Sequence, residues 1–264
     1  MYAFQYSRAK STADAAKAAT ADAEAKLLAG GMTLIPTLKQ RLAKPTALID
    51  LNGIADLKGI KRDGNSLVIG AMTRHAEVAR SKDVKEMIPA LAHLASLIGD
   101  PAVRNRGTIG GSIANHDPAA DYPAGALGLG ATVTTNKRKI AADDFFTGMF
   151  STALEDGEII TSVSFPKPDK AAYMKFKNPA SRYAIVGVFV AKTGNAVRVA
   201  VTGAGAGVFR AKELETALAK SFLPTAVEGI KIASDGLNSD IHASAEYRAH
   251  LITVMAKRAV VACG

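Results

Sequence analysis

Cysteine is all but missing from this chain of 264 residues: the single one, Cys263, stands beside the last residue. One thiol excludes an intramolecular disulfide, a thiolate-bound iron–sulfur cluster and a cysteine-rich zinc site within the chain. Such sparing use fits a reducing compartment, and the expected location is cytoplasmic. Tryptophan is absent and aromatic residues make up only 6% of the sequence, so the core must be built from Ala, Val, Ile and Leu. No stretch approaches roughly 18 uninterrupted apolar residues, so no membrane span is expected. Met1–Tyr6 shows no basic region followed by an apolar run, so no secretory leader is expected either.

What is present is a large aliphatic content and an excess of positive charge. Hydrophobic residues make up 48% of the chain, enough for one large domain or two medium ones. The formal net charge is +9, but the basic residues are scattered: Lys39/Arg41/Lys44, Lys58/Lys61/Arg62, Arg104/Arg106, Lys137/Arg138/Lys139 and Lys175/Lys177. No basic helix or aromatic interleaving accompanies them, so they read as a solvated surface suited to anionic or acidic partners, and no nucleic acid is expected.

The pattern along the chain mixes short strands and helices. Thr12 to Lys26 reads as a surface helix, and Leu27–Ala29, Ala47–Leu51 and Ser66–Ala71 as strands. A helix is expected from Thr73 to Arg80 with Thr73 as its cap, and an apolar one from Pro89 to Leu97. The segment from Gly99 to Tyr122 is dense in Gly, Pro, Asn, Asp and Arg and reads as a long functional loop. Strands are expected at Ala131–Thr135, Lys139–Ile140 and Glu158–Phe165. Pro166-Lys167-Pro168 is the best linker. Beyond it, Tyr173–Phe176, Ala184–Ala191 and Ala196–Val201 read as an antiparallel sheet. Helices follow at Ala211–Lys220 and Glu246–Val261, the latter with Tyr247, Leu251, Val254 and Met255 on one face. The fold expected is α+β in two domains, residues 1–168 and 169–264.

Two glycine pairs dominate the candidates for chemistry: Ala29-Gly30-Gly31-Met32-Thr33 and Thr108-Ile109-Gly110-Gly111-Ser112. Glycine admits positive φ and close approach of a ligand to the backbone, and successive N–H groups in such a bend form an anion-binding nest. A pyrophosphate between the two bends is the expected ligand. Neither bend is a Walker or Gly-x-Gly-x-x-Gly motif, and the Gly203–Gly207 run, with Val208 in place of a third glycine, reads as a hairpin or strand-exit loop. The second bend continues into Ile113-Ala114-Asn115-His116-Asp117-Pro118-Ala119-Ala120-Asp121. Thr108, Ser112 and Asn115 offer donors and Asp121 an acceptor, as a nucleotide with polyol parts requires. The five histidines show no metal-ligand spacing. His116 reads as an exposed loop residue, Asp143/Asp144 as a capping or turn pair, and no hydrolytic triad is recognisable.

The stretches 29–50, 98–123 and 176–190, with the paired bends and the Asp-Pro-x-x-Asp tail, resemble the FAD-binding medium subunit of the molybdenum hydroxylases. The similarity runs through Ser244-Ala245-Glu246-Tyr247-Arg248 to the closing helix. The resemblance implies a two-subdomain FAD domain of the vanillyl-alcohol-oxidase (p-cresol methylhydroxylase) type, with subdomains about 1–55 and 56–168, then a small α+β C-terminal domain with an antiparallel sheet. It implies that Ala29, Gly30, Gly31, Met32 and Thr33 hold the FAD pyrophosphate together with Thr108, Ile109, Gly110, Gly111 and Ser112. Asn115 and Asp121 would bind ribityl, phosphate or ribose groups. Ile160 would pack near the adenine or flavin edge, Lys177 near the polar edge of the isoalloxazine, and Tyr183 close to a ring face. Met32 and Ser112 replace a polar residue and an Asn frequent in the family. No catalytic residue or metal ligand is implied on this chain. It would pass electrons from an iron–sulfur small subunit, in a heterotrimer with a molybdopterin large subunit, to NAD, a quinone or O2. A self-contained flavin oxidase or reductase and a non-enzymatic nucleotide-binding module are the alternatives.

Overall fold

A computed structural model describes residues 1–264, which form three main sheets and a two-stranded hairpin with helices packed against them. The first sheet is parallel, in the order β1 (Gln5–Arg8), β3 (Ala47–Asp50), β2 (Lys26–Leu28). Helix α1 (Thr12–Ala21) crosses from β1 to β2, its N-terminus capped by Ser11, whose Oγ accepts from Asp14 N. It ends at Ala21, five residues short of the expected Lys26, because Asp22 is already extended. Helix α2 (Leu34–Lys39) follows the first glycine bend.

The second sheet is antiparallel: β4 (Ile60–Asp63), β5 (Ser66–Gly70), β10 (Ile160–Pro166), β6 (Thr132–Thr135), β7 (Lys139–Ala141). Between β5 and β6 run α3 (His75–Arg80), α4 (Lys82–Met87), α5 (Pro89–Ser96), α6 (Pro101–Arg104), α7 (Ile109–Asn115) and α8 (Asp121–Leu129). The expected long loop from Gly99 to Tyr122 therefore contains two short helices. Each has its own start signal: Asp100 Oδ1 accepts from Val103 N ahead of Pro101, and Thr108 Oγ1 accepts from Gly111 N. Helix α3 begins at His75 rather than at a Thr73 cap; Arg74 N donates to Glu77 Oε2 at 2.8 Å, and Thr73 Oγ1 instead bonds Gly59. Helix α9 (Ala142–Phe145) leads into a hairpin, β8 (Phe146–Gly148) and β9 (Ser151–Thr152).

The third sheet is antiparallel in the order β11 (Lys170–Lys177), β12 (Ala184–Thr193), β13 (Ala196–Thr202), β14 (Phe209–Arg210). It is buried on both sides. Tyr173, Phe189, Ala191 and Ala200 join the core that α5, α8 and the second sheet share. Val186, Val188, Val190, Val199 and Val201 face α10 (Lys212–Lys220) and α11 (Ala245–Ala262). Strands covered on both faces read as continuous apolar runs, as Ala184-Ile185-Val186-Gly187-Val188-Phe189-Val190-Ala191 does. All nine residues of α8 are buried. Gly128 is required there, since a Cβ would come within 2.8 Å of the Phe189 ring. On α11 the inward face is Leu251, Ile252, Met255, Ala256 and Ala259, and the expected Tyr247 is instead exposed.

Candidate cofactor site

The first glycine bend leaves β2 at Leu28, turns through Gly31 at φ +76°, and enters α2 at Leu34. The backbone N–H groups of Gly30, Gly31, Met32 and Thr33 take no acceptor from the protein. Four successive open donors are the backbone concavity that suits an anion. Asn52 Nδ2 fixes the approach by donating to Ala29 O at 3.1 Å and to Asp50 Oδ1 at 2.7 Å. Burial pushes the Asp50 carboxyl up, but bonds from Tyr6 and Asn52 more than offset it and hold it below the usual carboxylate range.

The second bend lies against the first. A Cβ on Gly30 would strike the Arg106 carbonyl and stand 2.8 Å from Gly107 Cα, so these two backbones meet where only glycine fits. The second bend is not the open nest expected of it. Its amides are committed within the protein: Ile109 N to Thr73 O (3.1 Å), Gly110 N to Ala71 O (2.8 Å), Gly111 N to Thr108 Oγ1 (3.2 Å) and Ser112 N to Thr108 O (3.0 Å). This is a capped helix start whose orphan donors are satisfied locally. The Ser112 hydroxyl and the Asn115 amide, both half-buried, have no protein partner.

The Asp-Pro-x-x-Asp tail is stitched to the third sheet. Gly203 N donates to Pro118 O at 2.7 Å, and Thr202 Oγ1 lies within 3.0 Å of Pro118 O and 2.7 Å of Ala120 O. Asp121 is buried, with Tyr173 donating to Oδ1 and Lys175 Nζ donating to Oδ2 at 2.9 Å. Tyr183 is half exposed at the edge of a cavity of about 240 Å³ that Asp117, Phe150, Asp240, His242 and Arg248 also line. Burial, then Asp117 and Asp121, raises its phenol. Lys177 is exposed at the end of β11. Ile160 is not at a surface: its side chain belongs to the core, and only its backbone, at a register shift between Ile160 and Ser162, is irregular.

His116 departs from the expected exposed loop histidine. It is buried at φ +41°, with Nδ1 2.9 Å from Ser151 O and Nε2 3.3 Å from Val208 N. A neutral ring donating from Nδ1 and accepting at Nε2 satisfies both. It thereby ties the β8–β9 hairpin to the strand-exit loop Gly203–Val208, beside a cavity of about 480 Å³. Asp143 is likewise no mere turn residue, since Arg198 and Arg210 from the third sheet both donate to it.

Sequence reasoning passed over His75, Tyr122, Tyr173 and Lys175. His75 N donates to Gly107 O at 3.0 Å, and its ring lies 5.3 Å from that of Tyr122. His75 Nδ1 and the Tyr122 hydroxyl are buried without partners. Burial, helped by Arg104, lowers the imidazole to about 4. Only the neighbouring Thr108 bend and Asp121 could have drawn attention to these positions; their partners are distant in sequence.

The description "FAD binding domain in molybdopterin dehydrogenase" matches residues 2–168, and "CO dehydrogenase flavoprotein C-terminal domain" matches residues 171–262. The chain is 36% identical to the carbon monoxide dehydrogenase medium chain of Hydrogenophaga pseudoflava, covering 97% of this chain and 96% of that one. It is 35% identical to the nicotine 6-hydroxylase medium subunit of Paenarthrobacter nicotinovorans, covering 99% and 98%. Among solved structures, carbon monoxide dehydrogenase from Hydrogenophaga pseudoflava superposes with a TM-score of 0.90 at 34% identity, covering 99% of this chain and 97% of that one. Quinoline 2-oxidoreductase from Pseudomonas putida 86 superposes at 0.89 with 29% identity and coverage of 99% and 97%. With an α+β fold and both family segments in order, the chain belongs to the FAD-binding medium subunits of the molybdenum hydroxylases and is an oxidoreductase subunit.

Proposed function

We propose that the chain holds FAD at the meeting point of the two glycine bends and carries electrons between an iron–sulfur small subunit and an external acceptor. The observation that carries the site is the row of four open amides at Gly30–Thr33, closed from one side by Arg106-Gly107. These residues fit a diphosphate: open donors face a bend where a Cβ would intrude. Ala29–Thr33 supply the main-chain donors. Thr108–Ser112 supply close approach at Gly111 and the free Ser112 hydroxyl, their own amides being engaged. Asn115 and Asp121 serve the ribityl or ribose hydroxyls; a carboxylate accepting two bonds retains further lone-pair capacity. Lys177 and Tyr183 address the polar edge and a face of the isoalloxazine, and Ile160 lends backbone at the adenine or flavin edge. Bound FAD supplies one- and two-electron redox chemistry; this chain's residues bind and orient it.

The finer architecture follows the same reading: a vanillyl-alcohol-oxidase-type FAD domain over residues 1–168, with subdomains 1–55 and 56–168, and a C-terminal domain over 169–264. The partners are an iron–sulfur small subunit and a molybdopterin large subunit in a cytoplasmic heterotrimer, with NAD, a quinone or O2 as acceptor. The lone cysteine supports clusters lying on another chain. No helix here is long and apolar enough to cross a membrane. Purification of the chain with its co-expressed partners, followed by flavin, iron and molybdenum counts, tests this. One FAD per copy of this chain is expected; a chain that neither retains nor takes up FAD overturns the reading.

A further inference from the structure

We infer that Lys175 and Tyr173, on β11 of the third sheet, are positioning residues for the flavin, holding the Asp121 carboxylate in the orientation in which it serves the cofactor. This rests on the proposed contact between Asp121 and FAD and adds the two side chains that govern it. Asp121 is the first residue of α8 and follows the tail of the second bend. Its two oxygens are held by separate donors: Tyr173 takes Oδ1, and Lys175 Nζ takes Oδ2 at 2.9 Å. The Lys175 ammonium also donates to Leu97 O at 3.2 Å, so it is anchored to the end of α5. Lysine and carboxylate side chains are only 2% and 4% exposed.

Charge this deep is retained where geometry is fixed on both sides. Each carboxyl oxygen of Asp121 meets its own donor, and together the two bonds fix the rotation of the group. Burial pushes the Asp121 acid up, while the Lys175 charge and the Tyr173 hydroxyl work against that rise. The two donors come from residues more than fifty positions away, 52 for Tyr173 and 54 for Lys175. The C-terminal sheet thereby sets an acceptor of the N-terminal cofactor site.

The test uses the full-length chain, stripped of flavin and titrated with FAD while flavin fluorescence is followed, with the melting temperature of each apo-protein measured beside it. Tyr173→Phe keeps the ring and removes one donor to a buried acceptor, and should weaken FAD binding about tenfold while lowering the melting temperature less than the loss of the lysine does. Lys175→Met should weaken it further and also lower the melting temperature, because it strands a buried carboxyl. Asp121→Asn combined with Lys175→Met removes both charges; it should recover melting temperature without recovering affinity. Affinity that simply follows melting temperature across the series overturns the proposal, as does parental affinity in Tyr173→Phe. Should Lys175→Met fail to fold, Tyr173→Phe and the double variant decide. Gly30→Val separates the two levels. If it retains FAD, the cofactor site itself is misassigned. If it loses FAD while the Tyr173 and Lys175 variants bind normally, only the positioning role fails.

Discussion

Ala29 and Gly111 face one another where the two glycine bends meet: a Cβ on Gly111 would stand 3.6 Å from that of Ala29 and 2.9 Å from Thr108 Oγ1. The four glycines of the bends consequently differ in what each protects. Gly30 guards the contact with Arg106-Gly107, whereas Gly110 guards packing, since a Cβ there would come within 2.5 Å of Ala71 Cβ. Gly30→Val is expected to force the two bends apart, because its Cβ would strike main-chain atoms of Arg106 and Gly107, giving a chain without flavin absorbance at about 450 nm and with a lowered apo melting temperature. Gly110→Val should chiefly destabilise the apo-protein, by roughly 1–3 kcal/mol from overpacking. Flavin-to-protein absorbance ratios and apo melting curves check both.

Thr108→Val removes the side-chain oxygen that accepts from Gly111 N while preserving shape. The loss of an N-cap costs about 1 kcal/mol, and the amide released at Gly111 gains no new acceptor. Urea unfolding should show a lower midpoint with unchanged slope.

His75 makes stability depend on acid in a defined window. In the unfolded chain an imidazole takes its proton near 6.5, in the folded chain only at about 4. Between these values the unfolded state binds more protons, so stability rises with pH and falls on acidification. The loss accumulates from just above pH 6.5 down to pH 4 and reaches about 3 kcal/mol. His75→Leu removes the titrating group and an unpartnered Nδ1. Its urea midpoint should match or exceed the parent's at pH 7 and surpass it clearly at pH 4.5.

His116→Leu cuts both links between the β8–β9 hairpin and the loop at Val208. Two hydrogen bonds at about 1 kcal/mol each set the expected loss. The hairpin tip, where Met149 and Phe150 are exposed, should become the first site of chymotryptic cleavage, since local openings govern such nicking. Timed digestion of parent and variant measures it.

Elements with an apolar face were legible in the sequence: β12, β13, α5 and α10 lie within a few residues of their expected bounds. Strands β1 and β4 were not, because Gln5–Arg8 is exposed throughout and Ile60–Asp63 nearly so, leaving no alternation to read. The two bends were legible as glycine pairs, but not the fate of their amides. Whether Gly110 N meets a ligand or Ala71 O depends on a strand exit forty residues upstream. Lys175 stayed hidden for the same reason: nothing local links it to an aspartate at the head of α8. His116 was misjudged because a histidine among Asn, Asp and Pro has the local look of a solvent-facing turn.

Helix α8 has no wet side: α5 and the inner face of the third sheet enclose it, with Gly128 pressed on Phe189. A polypeptide terminated after Pro168 would present that helix's aliphatic flank to water, along with the unneutralised carboxylates of Asp121 and Asp143. Such a fragment should precipitate instead of folding. A graft of the first half onto a foreign scaffold would need a replacement for the missing lid over α8.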